Sequence, residues 1–86
     1  MENREIACLL AETADLMEIA AEDGFRIRSY RNAAGVVEGY PESVAAIARN
    51  PERKLTDIPG IGKGIAAVIL ELLERGSFAK RDELLA

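Results

Sequence analysis

The segment IPGIGKG, residues 58–64, constrains the fold more than any other part of the sequence. It places three glycines, Gly60, Gly62 and Gly64, and one proline within seven positions, directly before a long apolar run. Glycine and proline are the residues with which a chain turns sharply. A two-residue turn does not need three glycines at alternating positions. The spacing therefore indicates that something must approach the backbone closely here.

Most of the remaining chain has the periodicity of α-helices. Apolar residues recur at intervals of three and four, and no segment shows the alternation of a β-strand. We predict an all-α fold, a compact bundle of four helices plus a short C-terminal helix, in a single domain over residues 1–86. The predicted helices span residues 4–22, 26–39, 42–50, 63–75 and 78–86, with one short helical turn at 55–57.

Glycine, proline and serine predict where these helices begin and end. Gly24 suits the left-handed position after the first helix, and Pro41 suits the start of the third. Ser77 is a suitable N-cap for the last helix. Gly35, inside the second helix, destabilises it by roughly 1 kcal/mol relative to alanine. Its presence therefore predicts a close approach of another helix.

Charge and composition decide which classes of partner remain open. The net charge is -4, but residues 1–23 carry seven acids and one base, whereas residues 24–86 carry ten bases and eight acids. Because local potential matters more than the total, phosphate binding stays possible. The lack of histidine and the single cysteine argue against a zinc site and against His-dependent catalysis. No apolar run approaches the ~20 residues that span a membrane, and we expect a cytoplasmic protein, nucleoid-associated in a bacterium.

The glycine cluster and the helix that follows it predict an anion site. A hairpin of this shape points backbone N–H groups outward near the positive end of the helix, where glycines let a phosphate approach. Lys63, in the first turn, is unfavourable against the helix dipole unless an anion binds. Alternatively, the glycines only permit two helices to pack tightly at a corner. The spacing alone leaves both interpretations open.

The stretch LTDIPGIGKGIAAVI resembles the helix-hairpin-helix motif, whose hairpin amides grip the DNA backbone without reading base sequence. With the upstream stretch FRIRSYRNAAGVVEGYP, residues 3–86 resemble the N-terminal, polymerase beta-like domain of bacterial and archaeal family X DNA polymerases. The resemblance implies a sequence-nonspecific DNA-binding module, with the hairpin motif at 55–75. Its expected partners are gapped or nicked DNA in repair and the remaining domains of a parent polymerase. Leu84 and Leu85, with no following chain to pack against, also lead us to expect a fragment of a longer protein.

The resemblance further implies which residues contact the DNA. It implies that no cofactor is required. The DNA backbone would lie on Gly60, Ile61, Gly62, Lys63 and Gly64. A pocket for the 5′-phosphate would comprise Arg26, Tyr30, Arg31 and Lys80. A monovalent cation, Na⁺ or K⁺, would bind the main-chain carbonyls of Thr56, Ile58 and Ile61. Tyr30 as an ordinary core aromatic with its hydroxyl at the rim remains the alternative.

One departure from the family bears on catalysis. In the polymerase beta-like domain a lysine in the helix after the hairpin forms a Schiff base with a deoxyribose phosphate. The matching residue here is Val68, which has no amine, and a nearby pocket lysine is matched by Gly64. We therefore expect no enzymatic activity from this chain, with nucleotidyl transfer confined to a parent protein. The alternatives are a residual lyase that uses Lys63 or Lys80, and a helical protein-interaction module that uses the acidic first helix.

Overall fold

The computed structural model describes all 86 residues, and its regular structure is entirely helical. The all-α prediction is confirmed. No helix has the combination of length and apolar character that a membrane span requires. The helices are α1 (Asn3–Ile19), α2 (Gly24–Gly39), α3 (Val44–Arg49), α4 (Lys63–Arg75) and α5 (Ala79–Leu85), with a 3₁₀ turn at Leu55–Asp57 between α3 and α4.

The interface between α1 and α2 is the most extensive contact between two elements. One face of α1 is buried, and Ile6, Leu10 and Met17 are completely inaccessible to solvent. Thr13 is the one buried polar residue. Its hydroxyl donates a 2.7 Å hydrogen bond to the Leu9 carbonyl, so this buried hydroxyl is paired.

The remaining core joins α2 to α4 and to the start of α5. Ile27 and Val37 of α2 and Ile69 of α4 are buried in the same cluster. Phe78 is also buried there, and its ring lies 6.4 Å from that of Tyr30 in a stacked arrangement. Because α5 itself buries no residue, Phe78 is the apolar anchor that holds the start of this helix against α2.

The predicted end of α1 was wrong. The helix ends at Ile19, and the left-handed residue that follows is Ala21, with φ 55°, rather than Gly24. Gly24 is instead the first residue of α2. The Asp23 carboxylate caps α2 by accepting a 3.0 Å hydrogen bond from the Phe25 N–H. A good N-cap residue thus stands directly before the glycine, which starts the next helix immediately.

Two predicted helix starts were also wrong. Pro41 lies in a bend, and α3 begins only after Ser43, whose hydroxyl accepts a 3.2 Å hydrogen bond from the Ala46 N–H. Ser77 does not cap α5. Its hydroxyl donates a 2.6 Å hydrogen bond to the Asp82 carboxylate, and the N-cap position is Phe78. In both cases a side-chain hydrogen bond outweighed the simple sequence preference.

The close approach predicted at Gly35 is found at Gly60 instead. A Cβ atom added to Gly35 would meet nothing within 4 Å, whereas one added to Gly60 would lie 2.7 Å from Val36 Cγ2 of α2. Gly60 also has φ 95°, a conformation that side chains strongly disfavour. The hairpin therefore lies directly on α2 at Gly60, because no side chain separates them.

We predict opposite effects on stability for alanine at these two glycines. Gly60→Ala should lower the free energy of unfolding by about 1–3 kcal/mol through backbone strain and the contact with Val36. Gly35→Ala, its matched control in open space within α2, should raise that free energy by about 0.5–1 kcal/mol. Urea denaturation followed by circular dichroism measures both. A Gly60→Ala variant as stable as the wild type would contradict this account of the hairpin contact.

Candidate nucleic-acid interface

The hairpin and α2 enclose a cleft of about 310 Å³. It brings together two segments that are about 30 residues apart in the sequence, and both contain residues predicted to contact DNA. The α2 wall is formed by Phe25, Arg26, Ser29, Tyr30 and Asn32, and the hairpin and α4 wall by Gly60, Gly62, Gly64, Ile65 and Val68.

Gly62 and Gly64 differ from Gly60 in having no structural need to be glycine. A Cβ atom added at either position would meet nothing within 4 Å. Gly62 has φ -87° and ψ 177°, an extended conformation that any residue adopts. The backbone conformation at Gly62 would therefore not resist a side chain. What glycine achieves at these two positions is an uncovered backbone on the wall of the cleft.

The first turn of α4 adds hydrogen-bond donors to this uncovered backbone. The helix begins at Lys63, and Gly62 at the N-cap position has no side chain with which to cap it. The first N–H groups of a helix lack intrahelical partners, and the helix dipole makes this end attractive to anions. A phosphate that enters the cleft would therefore meet free donors at the positive end of α4.

Two exposed cations lie close to these donors. Arg26 lines the cleft, Lys63 occupies the first position of α4, and neither forms an ion pair. Five of the eleven basic side chains of the protein do form such pairs. Positive charge is therefore available at the cleft, although the protein as a whole is acidic.

Arg31, a predicted member of the 5′-phosphate pocket, does not line the cleft. Its guanidinium lies 2.8 Å from the Asp15 carboxylate and 3.0 Å from that of Glu18, both on α1. These carboxylates raise the pKa of Arg31. The side chain is thus engaged in joining α2 to α1, and it is not grouped with the other predicted pocket residues.

Tyr30 lies in both the cleft and the core. The sequence had left open whether it is a pocket residue or a core aromatic, and its position is compatible with both. The residue lines the cleft but is only 4% exposed. Burial raises the pKa of its phenol, while the positive charges of Arg26 and Lys80 act in the opposite direction. The phenol therefore stays protonated at neutral pH and lies within electrostatic reach of both cations.

Lys80 lies beside this cluster but is not free. Its ammonium nitrogen is 2.6 Å from both carboxylate oxygens of Glu22, and the two side chains are 15% and 23% exposed. Lys80 does not line the cleft directly. Its positive charge is therefore already matched by a negative charge of the protein itself.

The main-chain carbonyls predicted to hold a cation lie at the base of the hairpin. The Ile58 carbonyl accepts a 3.0 Å hydrogen bond from the Ile61 N–H, which leaves its second lone pair for a ligand. No cluster of acidic, histidine or cysteine side chains that could hold a metal ion exists in the protein. An ion here would depend on carbonyl oxygens, which suit a hard cation such as Na⁺ or K⁺, and this site stays a prediction.

Three residues of the α2 wall were missed by the sequence analysis. Phe25, Ser29 and Asn32 line the cleft, and the Phe25 side chain is 68% exposed. Their spacing of four and three places them on one face of the helix, next to Arg26 and Tyr30. The spacing of these residues was visible in the sequence. Only the structure shows that the hairpin lies beside this face of α2.

Comparison with protein families agrees with this geometry. Residues 1–78 match the pattern of the family described as Helix-hairpin-helix domain, which covers most of the chain and includes the hairpin. The chain belongs to this family. No curated protein matches the chain. Helix-hairpin-helix domains bind DNA, and the cleft beside the hairpin is where this domain offers uncovered backbone and free positive charge.

We predict that Gly62→Val removes most DNA binding without unfolding this helix-hairpin-helix domain. The side chain has room in the free protein, but it would occupy the space through which a phosphate reaches the backbone. Fluorescence anisotropy with a labelled duplex measures binding, and circular dichroism checks the fold. Ala67→Val, on an exposed position of α4 outside the cleft, is the matched control and should bind as the wild type does.

Gly64→Ala sharpens the same test. Alanine in the first turn of α4 should stabilise the helix by up to about 1 kcal/mol, yet the added methyl group should weaken DNA binding. A packing role for this glycine cannot give opposite signs in the two measurements. A folded Gly62→Val or Gly64→Ala variant that binds DNA as tightly as the wild type would contradict a role of these glycines in giving a phosphate access to the backbone.

Proposed function

We propose that this domain is a non-catalytic module that holds DNA by its backbone phosphates, without preference for base sequence. The observation that carries the proposal is that Gly62 and Gly64 line a cleft beside Arg26 although neither packing nor backbone conformation requires glycine there. Such an arrangement suits a ligand that must touch the main chain.

Phosphate recognition of this kind should be weak and should depend only moderately on salt. Arg26 and Lys63 are the cations available at the site, so few counterions are released, and the logarithm of affinity should fall with that of salt with a slope of about -2. Backbone N–H groups contact phosphates, which are the same for every sequence, and therefore carry no sequence information. A tenfold difference in affinity between unrelated sequences would contradict this mode of binding.

The resemblance to family X DNA polymerases supports a more specific proposal. We propose that the domain binds gapped or nicked DNA in repair and places the 5′-phosphate against Arg26 and Tyr30. It would work with the other domains of a polymerase. The two residues line the same cleft as the hairpin glycines, and Lys80 lies within electrostatic reach of the Tyr30 phenol. A monovalent cation at the hairpin carbonyls would add a further link to the DNA backbone.

A preference for phosphorylated ends is the expected consequence. Gapped DNA with a 5′-phosphate should bind about three- to tenfold more tightly than the same DNA with a 5′-hydroxyl. Well-formed charge-assisted hydrogen bonds would give a larger preference for the 5′-phosphate, but Lys80 is already paired with Glu22. Competition anisotropy with the two DNAs measures the preference.

Two lysine variants distinguish binding of the 5′-phosphate from binding of the DNA backbone. Lys80→Ala should reduce the preference for the 5′-phosphate and leave binding of the hydroxyl-ended DNA nearly unchanged. Lys63→Ala should weaken both DNAs alike, because a backbone phosphate is present in each. Equal affinity of the wild type for the two ends would overturn the assignment of the pocket and leave only the hairpin.

We further propose that the chain has no lyase activity. Val68 lines the cleft where the family's nucleophilic lysine is expected, and neither Lys63 nor Lys80 does. Borohydride should therefore not trap the wild type on DNA with an abasic 5′ end, whereas Val68→Lys places an amine at the cleft and should give some trapped product. Trapping of the wild type that disappears in Lys63→Ala or Lys80→Ala would instead establish a residual lyase.

A further inference from the structure

The ion pair between Glu22 and Lys80 differs from the other ion pairs of the protein. Both oxygens of Glu22 lie 2.6 Å from the Lys80 ammonium. Glu22 is 23% exposed, whereas every other carboxylate that forms an ion pair is at least 36% exposed. Shielding from solvent strengthens the attraction between such charges. Glu22 and Lys80 therefore form a close and well-shielded ion pair, although they are 58 positions apart in the sequence.

The chain places the pair near Tyr30, because the Phe78 ring, shortly before Lys80 in the sequence, lies 6.4 Å from the Tyr30 ring. Tyr30 lines the cleft, and its phenol is affected by the charges of Arg26, Lys80 and Glu22 together. A carboxylate that offers two oxygens to an ammonium group presents the chemistry of a phosphate. Of the two cations that act on Tyr30, Arg26 has no ion-pair partner, while Lys80 is held by Glu22.

We propose that Glu22 is an internal anion that competes with a DNA 5′-phosphate for Lys80, and so limits how strongly the domain prefers phosphorylated ends. This inference rests on the proposed function. A terminal phosphate carries more negative charge than one carboxylate and can compete. To reach Lys80 it must separate Glu22 from it, and part of the gain is lost in leaving that carboxylate without its partner.

A purely structural role of the pair makes a different prediction. The pair joins α5 to the segment after α1, and a second pair, between Arg81 and Glu12 at 2.6 Å, joins α5 to α1 itself. If these pairs only fasten α5, the loss of either should have similar effects on DNA binding. If Glu22 regulates the pocket, only its loss should change the preference between the two ends.

The experiment compares Glu22→Gln with Glu12→Gln. Both variants remove one negative charge opposite a basic residue of α5, but they free Lys80 and Arg81 respectively. Affinities for gapped DNA with a 5′-phosphate and with a 5′-hydroxyl are measured by competition anisotropy at one salt concentration. The ratio of the two affinities is the quantity of interest, since a general change in charge affects both DNAs and cancels in it.

We expect Glu22→Gln to raise this ratio by roughly threefold or more over the wild type, and Glu12→Gln to leave it within about twofold. Adding Lys80→Ala to Glu22→Gln should abolish the gain, because the freed ammonium is then missing. An unchanged ratio in Glu22→Gln, or an equal rise in Glu12→Gln, would overturn the inference. A wild type that binds no DNA would instead overturn the proposed function itself.

Circular dichroism must show that Glu22→Gln is folded. If it is not, Glu22→Asp keeps the charge and withdraws the carboxylate by one methylene group, which weakens its hold on Lys80. This variant should raise the ratio by a smaller factor than predicted for Glu22→Gln. A folded Glu22→Asp variant with the wild-type ratio would also overturn the inference.

Discussion

The contact between Gly60 and Val36 is the constraint on which the rest of the site depends. With φ 95° and a Val36 methyl group where a Cβ atom would lie, Gly60 lets the hairpin rest directly on α2. This contact places Gly62 and Gly64 opposite Arg26 and thereby forms the cleft. A side chain at Gly60 would push the hairpin away from α2. The uncovered backbone at Gly62 and Gly64 would then no longer lie opposite Arg26.

The acidic N-terminal segment has an internal role in this arrangement. Its carboxylates pair with Arg31 of α2 and with Lys80 and Arg81 of the C-terminal helix. The cations that remain unpaired include Arg26 and Lys63, which lie at the cleft and at the start of α4. A net charge of -4 is therefore compatible with phosphate binding, because much of the acidic charge is neutralised within the protein. The same pairing leaves less free acidic surface for a protein-interaction role of α1.

The three glycines of the hairpin fall into two groups, one packed against α2 and one in open space. Gly60 is needed for the fold, while Gly62 and Gly64 lie in open space, and Gly64 makes the first turn of α4 less stable than alanine would. A residue that reduces stability without a structural reason is expected at a functional site, where binding sets the choice of residue. The structure thus shows a packing role for Gly60 and no packing role for Gly62 and Gly64, for which we propose ligand access.

The sequence alone determined the helical fold and the hairpin, because these follow from the 3.6-residue period and from local turn chemistry. It misplaced helix ends at Gly24 and Pro41, where hydrogen bonds of Asp23 and Ser43 decided the boundary. Only the tertiary structure showed which glycine packs against α2 and which cations are free. Lys80 and Glu22 are 58 residues apart, and a charge pattern along the chain does not show which charges the fold brings together.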